Sequence, residues 1–147
     1  MRRNTRKRAN IISRTCISEF GIDLSKSLIG KLSAYCGAVS AAAGAVSGIA
    51  WLDGESEEII KKTIINTICT VGGMVCDGAK PSCASKVAAA LGTAILSLEM
   101  AKRGSAFSVG EGLVMDTAEN TIKSIGRMAS QGMENTDNII LQIMLGN

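Results

Sequence analysis

Between Lys31 and Asp53 the chain runs "LSAYCGAVSAAAGAVSGIAWL", a stretch without a single charged side chain and made mostly of Ala, Gly and Ser. A segment of this length and composition has to be buried, and its small side chains fit a helix that neighbours can approach closely. Its length also meets the criterion for a membrane span, and Gly44 and Gly48 form a GxxxG pair within it. Ala, Gly and Ser transfer into lipid far less favourably than Leu, Ile, Val or Phe, so the composition favours the core of a helical domain over a bilayer.

The rest of the chain reads the same way. Asp23 or Ser25 offers an N-cap for the Ala-rich run, which Asp53-Gly54 ends. Glu55, Glu57 and Glu58 load the first turn of a second helix with acid, Ile59, Ile60, Thr63, Ile64, Thr67 and Ile68 supply its inner stripe, and Gly72-Gly73 stops it. Pro81 suits the first position of a third helix that ends at Lys102-Arg103 and Gly104. A fourth helix from about Asp116 carries Ile122, Ile125 and Met128 until Gly132 breaks it. Thr136 or Asp137 then caps a terminal helix closed by Gly146. No strand of useful length with period-2 alternation occurs. With one Trp, one Tyr and two Phe in 147 residues, the core is aliphatic. The expectation is an all-α fold, a compact helical domain around the central Ala/Gly-rich helix.

Charge is unevenly placed. Arg2, Arg3, Arg6, Lys7, Arg8 and Arg14 hold six of the sixteen basic charges, which leaves ten basic against thirteen acidic side chains. Residues 1–20 read as a basic, flexible N-terminal arm and 21–147 as the folded domain. Such an arm suits contact with nucleic acid or an anionic membrane, an Arg-rich targeting leader poor in acids, or a solvated disordered arm, the last being favoured. No nucleic-acid partner is expected.

The chain has five cysteines and no histidine. An odd count without a secretory hydrophobic region suggests a reducing compartment, the cytoplasm, with thiols acting as ligands or as core residues. Two of them bracket the box "CDGAKPSC", residues 76–83, which holds an Asp-Gly turn and the only proline. Zinc fits poorly, because no close Cys pair and no His is available. An iron–sulfur cluster fits the thiols better, with a helix N-terminus and backbone N–H groups between Gly78 and Cys83 to support the charge; ordinary core packing of free cysteines is the alternative. Within the box Asp77 and Lys80 are weak candidates for substrate binding, against turn formation and solvation. The catalytic base is not evident, and without histidine the usual triad is excluded.

The segments "IGKLSAYCG", "GGMVCDGAKPSCASKVAAA" and "AENTIKSIGRMASQGMENTDNIILQIML" resemble the C-terminal part of the iron–sulfur L-serine dehydratase alpha-chain and L-cysteine desulfidase family over residues 25–147. The resemblance implies a 4Fe-4S cluster on Cys36, Cys76 and Cys83, with Cys16 and Cys69 outside the ligand set. It implies a lyase that β-eliminates water or sulfide from the small amino acids L-serine or L-cysteine, giving pyruvate and ammonia. Family members are several hundred residues long, so this chain matches the cluster-binding part. A complementary N-terminal polypeptide or a homo-oligomer is the implied partner, and the chain alone is expected to be inactive. The contrasting readings are a non-catalytic helical remnant and a small membrane protein.

Overall fold

The computed structural model describes residues 33–146. Among the described residues there are five α-helices: α1 (Gly37–Leu52), α2 (Glu57–Val71), α3 (Cys83–Lys102), α4 (Ala118–Arg127) and α5 (Glu134–Leu145). A π-helical turn, Met128–Gly132, joins the last two. The only extended pairing among the described residues is an isolated antiparallel bridge between Tyr35 and Val75. The all-α expectation holds.

The Ala-rich helix is central because it feeds both core clusters. Val39 and Ala43 meet Ile64, Ile68, Ile122 and Ile125 on one side. Ala42, Val46 and Ala50 meet Ala90, Ala94 and Leu98 of α3 on the other. Alanine on both sides of the α1–α3 contact allows the close approach that the composition implied.

The second helix buries Thr63, Asn66 and Thr67 beside its isoleucines. Their polar atoms are satisfied: Thr63 Oγ1 donates to the Ile59 carbonyl at 2.8 Å and Thr67 Oγ1 to the Thr63 carbonyl at 2.7 Å. Asn66 reaches further. Its amide donates to the Ser105 carbonyl at 3.2 Å and its oxygen accepts from the Phe107 N–H at 3.0 Å, which fixes the loop leaving α3.

Several boundaries differ from expectation. Residues 33–36 are not helical, because the backbone there pairs with the 74–76 segment, so the first helix begins at Gly37 and Cys36 is its N-cap. Asp23 and Ser25, like the basic arm and Cys16, lie outside the described residues. Ser56, whose hydroxyl accepts from the Ile59 N–H, caps α2, and Glu57 and Glu58 occupy its first turn. Pro81 sits in a turn before α3, whose first residue is Cys83. Thr117 caps α4. Gly132 does not break the chain into a loop: the π turn carries it to Met133, the N-cap of α5, which leaves Thr136 and Asp137 inside the helix.

The membrane reading of the Ala-rich run meets a helix of only 16 residues. Among the described residues, Cys83–Lys102 is the one helix long and apolar enough to cross a membrane by length and composition.

Candidate functional site

The short pairing of 34–36 with 74–76 decides where two of the three cysteines lie. The Cys36 N–H donates to the Met74 carbonyl at 3.0 Å, and the Cys76 N–H donates to the Ala34 carbonyl at 2.5 Å. Cys36 and Cys76, forty residues apart in sequence, therefore stand at the two ends of one bridge. Both pack against the α1–α2–α4 core cluster.

The third cysteine comes back to this point through a tight loop. Gly78 takes a φ of +93°, which favours glycine. A side chain there would also press on Met144 of α5, with a Cβ 3.3 Å from the methionine methyl. The reversal lets Cys83 Sγ donate to the Gly78 carbonyl at 3.4 Å.

One turn into α3, Lys86 closes the arrangement. Its ammonium donates to the Val75 carbonyl at 2.8 Å and to the Asp77 carboxylate, one residue to either side of Cys76. The hydrogen bond to Asp77 raises the Lys86 pKa, and the nearby Asp77, Cys36 and Cys83 charges raise it further. Two of the three thiols thus lie within the field of one cation. Asp77 also accepts from Lys80 at 2.5 Å, and the two lysines, Lys80 foremost, hold its carboxyl far below the usual carboxylate range.

The sequence-derived residues therefore fall into three groups. Cys36, Cys76 and Cys83 are gathered around the bridge and the box loop. Asp77 and Lys80 lie beside them but are paired with each other, so Lys80 is not simply solvated. Cys69, on α2, packs against the same core cluster as Cys36 and Cys76; burial raises its thiol pKa, and it lines a cleft with Phe107, Glu111, Gly112 and Leu113. Lys86 was missed; its signal is its position three residues after Cys83, on the same helical face.

Of the backbone between Gly78 and Cys83, the Cys83 N–H is bonded to the Lys80 carbonyl and Pro81 has no N–H, while the Ala84 and Ser85 N–H groups that follow are bonded to the Pro81 and Ser82 carbonyls. Lys86 adds a side-chain cation beside this stretch. Among the described residues, no three Cys, Asp or Glu side chains are close enough together to hold a single metal ion.

Two buried hydroxyls adjoin the site. Tyr35, 3% exposed, and Ser40 are neighbours, yet neither hydroxyl has a hydrogen-bond partner of good geometry among the described residues. Burial, more than any other cause, pushes the Tyr35 phenol well above its usual range.

The family model of the serine dehydratase alpha chain matches residues 3–142. The chain belongs to the serine dehydratase alpha chain family. Relatives of this family member carry only a general designation: the UPF0597 protein of Lachnoclostridium phytofermentans is 53% identical over 82% of this chain and 29% of its own length. The UPF0597 protein of Treponema denticola is 51% identical over 82% of this chain and 28% of its own. One from Bacteroides fragilis is 38% identical over 96% of this chain and 33% of its own. The chain thus spans a third or less of the length of these curated relatives. No solved structure matches it.

Proposed function

We propose that this chain is the cluster-bearing part of an iron–sulfur lyase that performs β-elimination on L-serine or L-cysteine in the cytoplasm. The observation that carries the reading is that Cys36 and Cys76 flank one bridge while the helix begun by Cys83 is tied to that bridge through Lys86, within a segment that matches the serine dehydratase alpha chain. Thiols on three separate pieces of backbone suit a multi-iron cluster, in which each iron takes its own thiolate, rather than a single ion. Lys86 supports the same assignment, because a buried-edge cation beside the thiols offsets the negative charge of thiolates and cluster.

Cys36, Cys76 and Cys83 would hold a 4Fe-4S cluster, which when bound would supply Lewis acidity toward the carboxylate and β-substituent of an amino acid. The chain's own residues set what else can happen there. Cys36 and Cys76 are fixed by main-chain hydrogen bonds, and Cys83 by the Gly78 turn, so the thiols are preorganised. Lys80, partly exposed beside Asp77, can meet a substrate carboxylate. Asp77 is a weak partner for a substrate ammonium because two lysines already engage it.

Removing the α-proton requires a base at hydrogen-bond distance. Asp77 is held deprotonated but is too weakly basic, Lys86 is held protonated, and the chain has no histidine. Lys80 is paired with Asp77, so among the described residues no free base stands out, and we assign the base and much of the substrate pocket to the additional chain that the longer relatives carry.

Anaerobic reconstitution tests the assignment. Iron, sulfide and the visible absorbance of a cluster should appear in the parent and in Cys69→Ser and Cys16→Ser, and vanish in Cys36→Ser, Cys76→Ser and Cys83→Ser. Equal loss across all five variants, or loss in none, overturns it and leaves the helical remnant reading.

A further inference from the structure

Charged side chains mark the solvated faces of α2, where Lys61 pairs with Glu57 at 2.9 Å and Lys62 with Glu58 at 2.7 Å. The third helix has no such face. Residues 87–98, "VAAALGTAILSL", carry no charge on any side of the helix. One stripe, Ala90, Ala94, Ser97, Leu98 and Ala101, is buried. The opposite side, with Ala88, Gly92 and Leu96, is open: Leu96 is 60% exposed and nothing lies within 4 Å of a Cβ placed on Gly92. Leu91 and Ile95 flank it and are exposed as well. A helix that is apolar all round belongs inside a larger core.

The fifth helix repeats the pattern. None of its residues is buried, and Ile143 is 69% exposed. Met144, near its C-terminus, lies against Gly78, which places the end of this helix beside the loop that leads into α3.

We infer that the outer side of α3, continued onto α5, is the docking face for the part of the family polypeptide outside the segment this chain matches. This rests on the reading of the chain as part of a larger enzyme, and it names the surface. Three observations select this occupant. The relatives carry more than twice as much further chain, since the match covers 29% and 33% of two of them. The lack of charge from 87 to 98 requires an apolar partner rather than a polar or nucleic-acid surface. The small residues Ala88 and Gly92 leave a smooth groove into which another helix can pack closely. The face begins about one turn after Cys83, just beyond Lys86, so whatever docks there also borders the cysteine site.

The test is a chimera in which this chain replaces the matched segment of the Lachnoclostridium phytofermentans relative, compared with the isolated chain by hydrogen exchange and light scattering. In the chimera, amides of residues 84–98 and 138–145 should exchange at least tenfold more slowly than in the isolated chain. Gly92→Leu and Leu96→Lys should abolish that protection, while Lys62→Glu on the solvated side of α2 should keep it. Because these positions are open in the isolated chain, its circular dichroism should be unchanged in every variant. A folded chimera with no added protection at 84–98 overturns the surface, while activity in that chimera would leave the larger-enzyme reading standing. Protection already present in the isolated chain, with the mass of a dimer, assigns the face to a second copy and also overturns the proposal. A folded chimera that is protected but binds no cluster and has no activity supports the surface and removes the enzyme reading.

Discussion

The Lys86 ammonium reaches from the first turns of α3 to the Val75 carbonyl at 2.8 Å, so the helix that starts with Cys83 is tied to the bridge that carries Cys36 and Cys76. The same ammonium also bonds Asp77, so Lys86 contacts both flanks of Cys76.

Lys86→Met should therefore leave the three thiols in place but loosen their spacing. Groups that orient metal ligands typically contribute about 10–100-fold to metal affinity. Cluster loss to a chelator should accelerate by a similar factor in Lys86→Met, with helix content retained. The pH dependence has a definite sign. Asp77 is held below its usual range by Lys80 and Lys86, so the clamp is complete above the ordinary carboxylate range and is lost only as acid protonates Asp77 through its lowered value. Cluster retention should be flat through neutral pH in the parent, and Asp77→Asn should remove the acid step.

Core position on α1 should separate substitutions one residue apart. Ala42 is buried against α3, whereas Ala41 is exposed. Ala42→Leu should overpack the contact and cost about 1–3 kcal/mol of stability. Ala41→Leu should stay within about 0.5 kcal/mol of the parent. Denaturant midpoints at constant slope read both, and equal midpoints would remove α1 from the centre of the fold.

Asn66 gives a third contrast. It is fully buried and satisfies Ser105 and Phe107 with its two amide atoms. Asn66→Leu keeps the approximate volume but removes two hydrogen bonds, one to an exposed and one to a half-buried loop residue, and should destabilise by about 0.5–1.5 kcal/mol for each bond lost. Faster exchange of the Phe107 amide should accompany the loss.

How much of this was legible in the sequence depends on the range of the interaction. The Ala-rich run announced a closely packed central helix because composition alone limits what can cover it, and Ala42 facing Ala94 is the outcome. Gly104 and Gly146 marked helix ends and take positive φ there. The start of α1 was misjudged because Ser33 to Cys36 is apolar enough to continue a helix; only the distant 74–76 segment draws it into a bridge. Pro81 was placed inside the helix because proline suits a first turn, yet the tight turns from Lys80 to Ser82 use that ring one step earlier. Lys86 was overlooked because its partners, Val75 and Asp77, lie across a loop that no local pattern resolves.

Catalysis is the last property that this arrangement decides. β-Elimination needs a positioned base for a weakly acidic α-proton as well as a Lewis acid for the leaving group. Among the described residues, the titratable groups around the three cysteines include Asp77, Lys80, Lys86, Tyr35 and Cys69. Asp77 is the counter-ion of Lys80 and Lys86, Lys86 is held protonated by Asp77, and burial pushes the Tyr35 phenol and the Cys69 thiol above their usual ranges. Only Lys80 remains partly open, and it too is paired with Asp77. The isolated chain, even with a full complement of iron and sulfide, should release no pyruvate from L-serine or L-cysteine above a cluster-free control. Supplying the remainder of a longer relative should restore release that depends on Cys36, Cys76 and Cys83. Pyruvate formation by the isolated chain that is lost in Lys80→Met would instead show that this lysine is the base and that the chain is a complete catalyst.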